Sequence, residues 1–208
     1  MAGSFSKKLL AAVCCDNLLD NPSTISSISE RVPANRNFLI TECRTLAKQG
    51  FLEGASKGYY ITDKGRKKIK VVFAGGVFDI IHPGHVHTLT ESKKLGDVLV
   101  VSVARNNTVI KNKGREPVND ERLRRELVQA LKCVDLAILG SRTNIFETVI
   151  KVKPNIVALG YDQKHSEKFL VEESAKRGMS VEVVRLSSPI PTVKSSNIIK
   201  EPNIMQDF

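Results

Sequence analysis

Two kinds of hydrophobic spacing follow one another along the chain, and they change near residue 68. Before that point, apolar residues recur every three or four positions in SFSKKLLAAVCCDNLL, STISSISERV and NRNFLITECRTLAKQG. This spacing predicts three helices, the third of them ending at Gly50. A second pattern follows, in which FLEGASKGYYIT predicts two short strands around a polar turn and TDKGRKKIK a short basic helix or a linker.

From residue 69, short and almost continuously apolar segments alternate with segments of helical spacing. The predicted strands are IKVVFAG, DVLVVSVA, VDLAILG, NIVALGY and SVEVVRL. The predicted helices are GHVHTLTESKKLG, NDERLRRELVQALK, NIFETVIKV, SEKFLVEESAKRG and a last one starting at SSNIIK. Residues 105–118 are predicted to form a polar loop. The alternation predicts an α/β domain over 69–208, a Rossmann-like parallel sheet covered on both faces, after a small domain over 1–68.

The composition is that of an ordinary soluble globular protein, since 41% of the 208 residues are hydrophobic and 26% are charged. No apolar stretch is long enough to cross a bilayer, and the start, MAGSFSKKLLAAVCC, lacks a convincing signal-peptide cleavage site. The cysteines show neither paired nor metal-type spacing, which favours reduced thiols. We therefore expect a cytoplasmic protein without a membrane segment.

Positive charge is concentrated at the beginning of the chain. The net charge is +10; residues 1–70 carry 12 Lys and Arg against 6 Asp and Glu, whereas residues 71–208 carry 20 against 16. A basic excess favours anionic partners such as nucleic acid or phosphorylated ligands. The two parts are therefore expected to meet different anions.

Three of the four histidines lie in VFAGGVFDIIHPGHVHTL, residues 72–89, where a predicted strand gives way to a helix. Glycines after a strand let phosphates approach the backbone closely, and a helix N-terminus offers N–H groups to an anion. The segment is not G-x-G-x-x-G, which disfavours a dehydrogenase of the dinucleotide-binding fold. It is also not a Walker A loop, because no G-K-S/T follows.

His82 and His85 flank Pro83 and Gly84, a spacing that can place two imidazoles on one side of a tight turn. The pair could bind a metal, but no third ligand lies nearby with suitable spacing, and no metal site is predicted. The pair could instead donate hydrogen bonds to phosphate oxygens, or simply stabilise the turn. The glycine-rich strand end favours phosphate, and His87 is expected to be a packing or surface residue.

The segment GGVFDIIHPGH resembles the H-x-G-H signature of a nucleotidyltransferase superfamily, especially its cytidylyltransferase-like branch. The resemblance extends over residues 70–200, through KNKGREPVNDERLRRELVQALKCVD, similar to the Lys-Gly loop and R-x-x-x-V helix of the branch, and VALGYD, similar to its base-binding strand end. Within the branch, the chain is most similar to archaeal FAD synthetases, which transfer AMP from ATP to FMN.

The sequence also departs from the branch. Val77 stands where the branch usually has Thr, so no hydroxyl is available there to the α-phosphate, and paired cysteines common near the end of archaeal FAD synthetases are absent. Bacterial glycerol-3-phosphate cytidylyltransferases share the scaffold. A CTP-dependent enzyme acting on glycerol 3-phosphate or a similar alcohol phosphate is therefore the alternative.

The resemblance implies that NMP passes from an NTP, with ATP favoured over CTP, to a phosphorylated acceptor while pyrophosphate leaves. His82 and His85 would meet the α- and β-phosphates, Lys113 would clamp the triphosphate or acceptor, and Arg124, projecting from its helix, would bind a phosphate bidentately. The implied nucleotide-binding residues are Gly75, Gly76, Val77, Phe78, Gly84, Lys111, Gly160, Asp162, Ser195 and Ser196. Mg²⁺ is expected with the NTP, and Asp79 would support it or cap the turn. A homodimer is also expected.

Residues 1–68 resemble a winged helix-turn-helix domain, both in their order of elements and in the stretch LAKQGFLEGASKGYYITDKGRKKI. Such domains place their third helix in the major groove and the wing against the DNA backbone. The implied DNA contacts are Arg36, Asn37, Thr41, Arg44 and Lys48 of the third helix and Lys57 of the wing. The alternative is a module for dimer or partner contacts.

A different class of function is also open for the whole chain, namely a DNA-binding transcriptional regulator whose second domain senses a nucleotide. The complete set of His, Lys and Arg residues argues against a sensor that no longer catalyses.

Overall fold

The computed structural model describes residues 3–161, 163 and 166–187, and the chain packs as two compact units, Met1–Lys70 and Val71–Phe208. Each unit buries its own set of apolar side chains. Within the described ranges, every helix is too short or too polar to cross a membrane.

Four helices, the last of them a single turn, and a hairpin make up the described part of the first unit. Its elements are α1 (Ser4–Leu18), α2 (Ile25–Arg31), α3 (Arg36–Lys48), β1 (Leu52–Ala55), β2 (Gly58–Ile61) and α4 (Asp63–Arg66). Side-chain caps start α2 and α3, since Thr24 accepts a hydrogen bond from the N–H of Ser27 and Asn35 accepts from the first N–H groups of α3. After α3, Gly50 lies in the left-handed region at φ 73°, which confirms the predicted helix end.

The hairpin is held by backbone hydrogen bonds to Ser23, in the segment between α1 and α2, and by a side chain of α1. The N–H and C=O groups of Ser23 and Tyr59 are joined at 2.9 Å in both directions. The Asn17 side chain accepts a hydrogen bond from the N–H of Ile61 at 2.7 Å. At Gly58, where φ is 146°, a Cβ atom would lie 2.5 Å from the carbonyl oxygen of Ser23. Glycine is therefore required at position 58, where the turn of the hairpin approaches the hydrogen-bonded pair of Ser23 and Tyr59.

We expect Gly58→Ala to lower the free energy of unfolding of the first unit by about 1–3 kcal/mol, because the new methyl group forces both the turn and the bridge to shift. Gly54→Ala on the same hairpin is the matched control, since its Cβ would meet only the ring of Tyr59, at 3.8 Å. Thermal unfolding monitored by circular dichroism measures the difference. Equal stabilities of the two variants would contradict the role given to Gly58.

Five strands and five helices make up the described part of the second unit. The strands are β3 (Val71–Gly76), β4 (Val98–Val103), β5 (Leu136–Leu139), β6 (Ile156–Leu159) and β7 (Glu182–Arg185). The helices are α5 (Pro83–Lys94), α6 (Asn106–Lys113), α7 (Glu121–Gln129), α8 (Ile145–Val152) and α9 (Glu167–Ala175).

The five strands form one parallel sheet in the order β5-β4-β3-β6-β7. All six residues of β4 are buried, as are the first four of β3 and all four of β6. This burial explains why these strands are almost continuously apolar, because a parallel sheet is covered on both faces. The predicted Rossmann-like α/β fold is confirmed.

The predicted loop over 105–118 is wrong in part, since α6 occupies Asn106–Lys113. Its first residues are weak helix formers, which conceals the helix in the sequence. Tertiary contacts compensate: Val109 is fully buried, and Glu121 accepts a hydrogen bond from the N–H of Asn106 at 2.8 Å. Gly114, at φ 68°, ends the helix. The helix predicted at SSNIIK lies outside the described residues.

The four cysteines are free thiols, and three of them are buried in the first unit. Burial raises the pKa of Cys43 to about 11 and also raises the pKa of Cys14. Both thiols are therefore protonated at neutral pH and pack as small apolar side chains. This agrees with the cysteine spacing, which favoured reduced thiols.

Candidate active site

The H-x-G-H segment lies at the carboxyl end of β3, the central strand of the sheet. In the sheet, β4 and β5 lie on one side of β3, and β6 and β7 lie on the other side. The strand order therefore reverses between β3 and β6. Open parallel sheets bind ligands in the crevice beyond the carboxyl ends of the strands at such a reversal. The topology therefore places both histidines where a nucleotide is expected.

His82 and His85 are stacked on one another. Their ring centroids lie 3.8 Å apart with an interplanar angle of 27°, and both side chains are half-buried. His82 is the N-cap of α5 in an extended conformation, and Pro83 follows at the first helical position, where its missing N–H costs nothing. The predicted placement of two imidazoles on one side of the turn is confirmed.

Phe78 packs against this pair. Its ring centroid lies 5.1 Å from that of His85, and its side chain is 5% exposed. Phe78 has a φ of 53°, a left-handed conformation that is strained for a bulky residue. The Phe78 ring packs in the hydrophobic core, so only the backbone atoms of Phe78 could make the predicted contact with a nucleotide. The close approach of the ring also explains Gly76, where a Cβ atom would lie 2.8 Å from it.

We expect Gly76→Ala to displace the Phe78 ring and, through it, His85, which lowers the melting temperature. Gly75→Ala is the matched control for stability, because its Cβ would make only an ordinary contact, 3.7 Å from the carbonyl oxygen of Ser102. Thermal unfolding of the two variants checks this expectation. A larger loss for Gly75→Ala than for Gly76→Ala would contradict the packing role of the Phe78 ring.

Arg124, which was predicted to project from the start of its helix and bind a phosphate, is completely buried in the structure. Its Nε donates to the carbonyl oxygen of Asn119 at 2.9 Å, and its two terminal nitrogens donate to the carbonyl of Val77 at 2.6 Å and to Oδ1 of Asn106 at 2.8 Å. Burial lowers the pKa of Arg124, although nearby carboxylates, Asp79 foremost, oppose this shift. The guanidinium therefore binds neutral protein oxygens.

Asp79 is equally enclosed, with a side chain that is 0% exposed. One carboxylate oxygen accepts from the N–H groups of Val118 and Asn119 at 2.7 and 3.3 Å, and the other accepts from Arg115 at 2.8 Å. Both oxygens are occupied, which favours the turn-stabilising interpretation of Asp79 over metal support. Over the described part of the chain, no group of three or more His, Cys, Asp or Glu side chains could hold a metal ion.

The two lysines of the predicted clamp lie in the last turn of α6, not in a loop. Lys111 and Lys113 are exposed, and among the described residues neither ammonium group forms a hydrogen bond or an ion pair. Both cations are therefore available to a ligand. Gly84 lies half-buried in the first turn of α5, as a backbone contact to phosphate requires.

Gln163 joins the carboxyl ends of β3 and β6. The sequence analysis did not predict a role for this residue. Its side-chain nitrogen donates to the carbonyl of Gly75 at 2.6 Å, and its own carbonyl accepts from Arg185. Arg185 also donates to the carbonyl of Gly160, the predicted nucleotide-binding residue after β6. The only signal in the sequence is a polar residue soon after a buried strand. Asp162, Ser195 and Ser196 lie outside the described residues.

The predicted DNA contacts of the first unit are all on its surface. Exposed side chains are found at Arg36, Asn37, Thr41, Arg44, Lys48 and Lys57. Arg36 and Lys57 line one groove of about 400 Å³ between the start of α3 and the turn of the hairpin. Of this set, the structure therefore brings together one residue of the helix, Arg36, and the wing residue Lys57.

The profile of the cytidylyltransferase-like family matches residues 73–201. The chain belongs to the cytidylyltransferase-like family. It is a nucleotidyltransferase, so a nucleoside triphosphate is among its substrates, and enzymes of this family use a divalent metal ion with that nucleotide.

Individual relatives of this cytidylyltransferase-like chain support the same family. It is 49% identical over 130 residues to the FAD synthase of Thermoplasma volcanium, covering 62% of this chain and 91% of that protein. It is 48% identical over 142 residues to the FAD synthase of Thermococcus onnurineus, covering 68% and 91%. A crystal structure described as the lipopolysaccharide core biosynthesis protein from Thermoplasma volcanium matches with a TM-score of 0.56 and 52% identity, covering 58% of this chain and 98% of that one.

Proposed function

We propose that the protein is an FMN adenylyltransferase, which transfers AMP from ATP to the phosphate of FMN and releases pyrophosphate. The stacked pair of His82 and His85 at the sheet reversal carries this proposal. Relatives that are about half identical and are named FAD synthase support the choice of acceptor. The cytoplasm as its location and a homodimer as its assembly, both expected from the sequence, stay predictions.

In this mechanism, a phosphate oxygen of FMN attacks the α-phosphorus of ATP in line, the P–O bond to the β-phosphate breaks, and pyrophosphate takes that electron pair. Such a transfer depends on positioning and on neutralising charge more than on a covalent nucleophile. His82 and His85 would bind the α- and β-phosphates. The two ring centroids lie 3.8 Å apart, so hydrogen bonds from both imidazoles could reach one polyphosphate.

Other residues would hold the ends of the substrates. The exposed ammonium groups of Lys111 and Lys113 would bind the triphosphate or the acceptor phosphate. Gly84 would offer its N–H to a phosphate, and Gly160 and Asp162 would face the base or ribose. Ser195 and Ser196 would meet the β- and γ-phosphates.

Mg²⁺ would accompany the triphosphate as its counter-ion. Asp79, the carboxylate nearest in sequence to His82, already uses both oxygens within the protein. Substrate oxygens would therefore hold the ion, which neutralises charge on the departing pyrophosphate.

We expect His85→Ala to reduce turnover by about 10²–10³-fold, because it removes a donor that stabilises charge developing on the phosphates. His87→Ala is the matched control, since His87 is expected to be a bystander. Pyrophosphate release from ATP with FMN measures both variants. Near-normal turnover of His85→Ala would contradict the assignment, and release from CTP with glycerol 3-phosphate, but not from ATP with FMN, would favour the alternative enzyme.

A second function is favoured by one surface of the first unit, and we propose that residues 1–68 form a winged helix domain that binds DNA. Asn37, Thr41, Arg44 and Lys48 follow one another at spacings of four, three and four, which places their exposed side chains on one face of α3. The single acidic residue of α3, Glu42, lies off this face. An enzyme with such a domain would also bind DNA and could regulate the genes of its own pathway there.

We expect the double variant Arg44→Ala, Lys48→Ala to weaken binding of the full chain to duplex DNA. The slope of log Kd against log salt concentration should fall by about one for each DNA phosphate that the variant no longer binds. Lys168→Ala, Lys176→Ala is the matched control, because it removes the same charge from α9 of the second unit and the residue that follows it. Fluorescence anisotropy at several salt concentrations measures the slopes, and identical slopes for the two double variants would count against a DNA-binding α3.

A further inference from the structure

A continuous polar network lies between the H-x-G-H turn, helix α6 and helix α7. Its members come from four separate stretches of the chain and include Asp79 and Arg124, the two most deeply buried charged side chains among the described residues of the second unit. A charged side chain that is removed from water needs several partners to remain stable. The identity of those partners indicates what the network holds together.

The Asp79 half of the network ties the turn to the segment before α7. Arg115 and the N–H groups of Val118 and Asn119 donate to the Asp79 carboxylate. The Asn119 side chain donates in the other direction, to the Asp79 carbonyl at 3.0 Å. Because Asp79 lies only three residues before His82, this half fixes the backbone that leads into the histidines.

The Arg124 half ties the same turn to α6. One terminal nitrogen of Arg124 donates to the carbonyl of Val77 in the turn, and the other donates to Oδ1 of Asn106, the first residue of α6. Asn106 is held a second time, since its N–H donates to Glu121, which also pairs with Arg105 at 2.7 Å. One guanidinium therefore contacts both elements that carry the proposed phosphate-binding groups.

We propose that Arg124 is a positioning residue that sets the H-x-G-H turn and α6 at a fixed distance, and that it does not bind phosphate. The consequence is that the His82–His85 pair and the cations of Lys111 and Lys113 reach the triphosphate together. The proposal rests on the proposed function for the chemistry of these groups. Three separate nitrogens of Arg124 each have their own acceptor, an arrangement that the planar guanidinium can serve and a single ammonium group cannot.

Arg124→Lys tests this role, because lysine keeps the charge and can still bind a phosphate but cannot replace three separate donor nitrogens. We expect turnover with ATP and FMN to fall by about 10–100-fold, since a small misplacement of reacting groups is enough for such a loss. The KM for ATP and the Kd for ATP measured by titration calorimetry should change less than about threefold. Arg122→Lys, an exposed residue on the same helix, is the matched control and should resemble the parent protein in all three measurements.

Amide hydrogen exchange gives a readout that is independent of activity. Arg124→Lys should speed exchange in peptides covering both 76–86 and 106–114, whereas Asn106→Ala, which removes the hydrogen bonds that join α6 to Arg124 and to Asp120, should speed exchange in 106–114 alone. If Arg124→Lys does not fold, Asn106→Ala still tests the link.

The proposal would be overturned by near-parental turnover of Arg124→Lys, or by a Kd for ATP that rises more than about tenfold while exchange in both segments stays unchanged. The latter result would make Arg124 a phosphate ligand. Failure of the proposed function is distinguishable, because the parent protein would then release no pyrophosphate from ATP and FMN, while the exchange experiment would still decide the role of Arg124.

Discussion

The pairing of β3 on both of its edges is the constraint on which the catalytic unit depends. All six residues of this strand pair with β4, and three of them also pair with β6. A shift of one residue would turn every buried side chain of β3 to the opposite face of the sheet. The strand must therefore end at Gly76, and the turn that carries the histidines starts from a fixed place.

Beyond that strand end, charged groups replace apolar packing as the means of holding the chain in place. Burial acts to raise the pKa of Glu121, but hydrogen bonds from Arg105 and from the N–H of Asn106 lower it below the ordinary value. A carboxyl group whose pKa is lowered by folding stabilises the folded state above its unfolded pKa, and this contribution is lost as the pH falls through its folded pKa. The attachment of α6 is therefore complete at neutral pH and weakens in acid.

The sequence predicts the sheet and most of the helices, because burial leaves a periodic signal. It also predicts that the two histidines lie on one side of the turn, because a short turn leaves few positions for two side chains three residues apart. It does not predict α6, since Asn106 is a poor helix former whose stabilising partners lie in α7. It also does not predict that Arg124 is buried, because arginine is normally found at the surface. Likewise, Gln163 contacts Gly75 across 88 positions of the chain, and no local pattern records such a pairing.

The order of strands also has a consequence for folding. The first unit depends on contacts of shorter range, such as the hydrogen bond from the N–H of Ile61 to Asn17, 44 positions earlier. The sheet behaves differently, because Val71 at the start of its central strand is hydrogen-bonded to Asn155, which is separated from it by 84 positions. Contacts of such long range are slow to form and leave strand edges exposed in the meantime. A complete nucleotide crevice therefore cannot exist on the nascent chain until β6 has been synthesised and has docked beside β3.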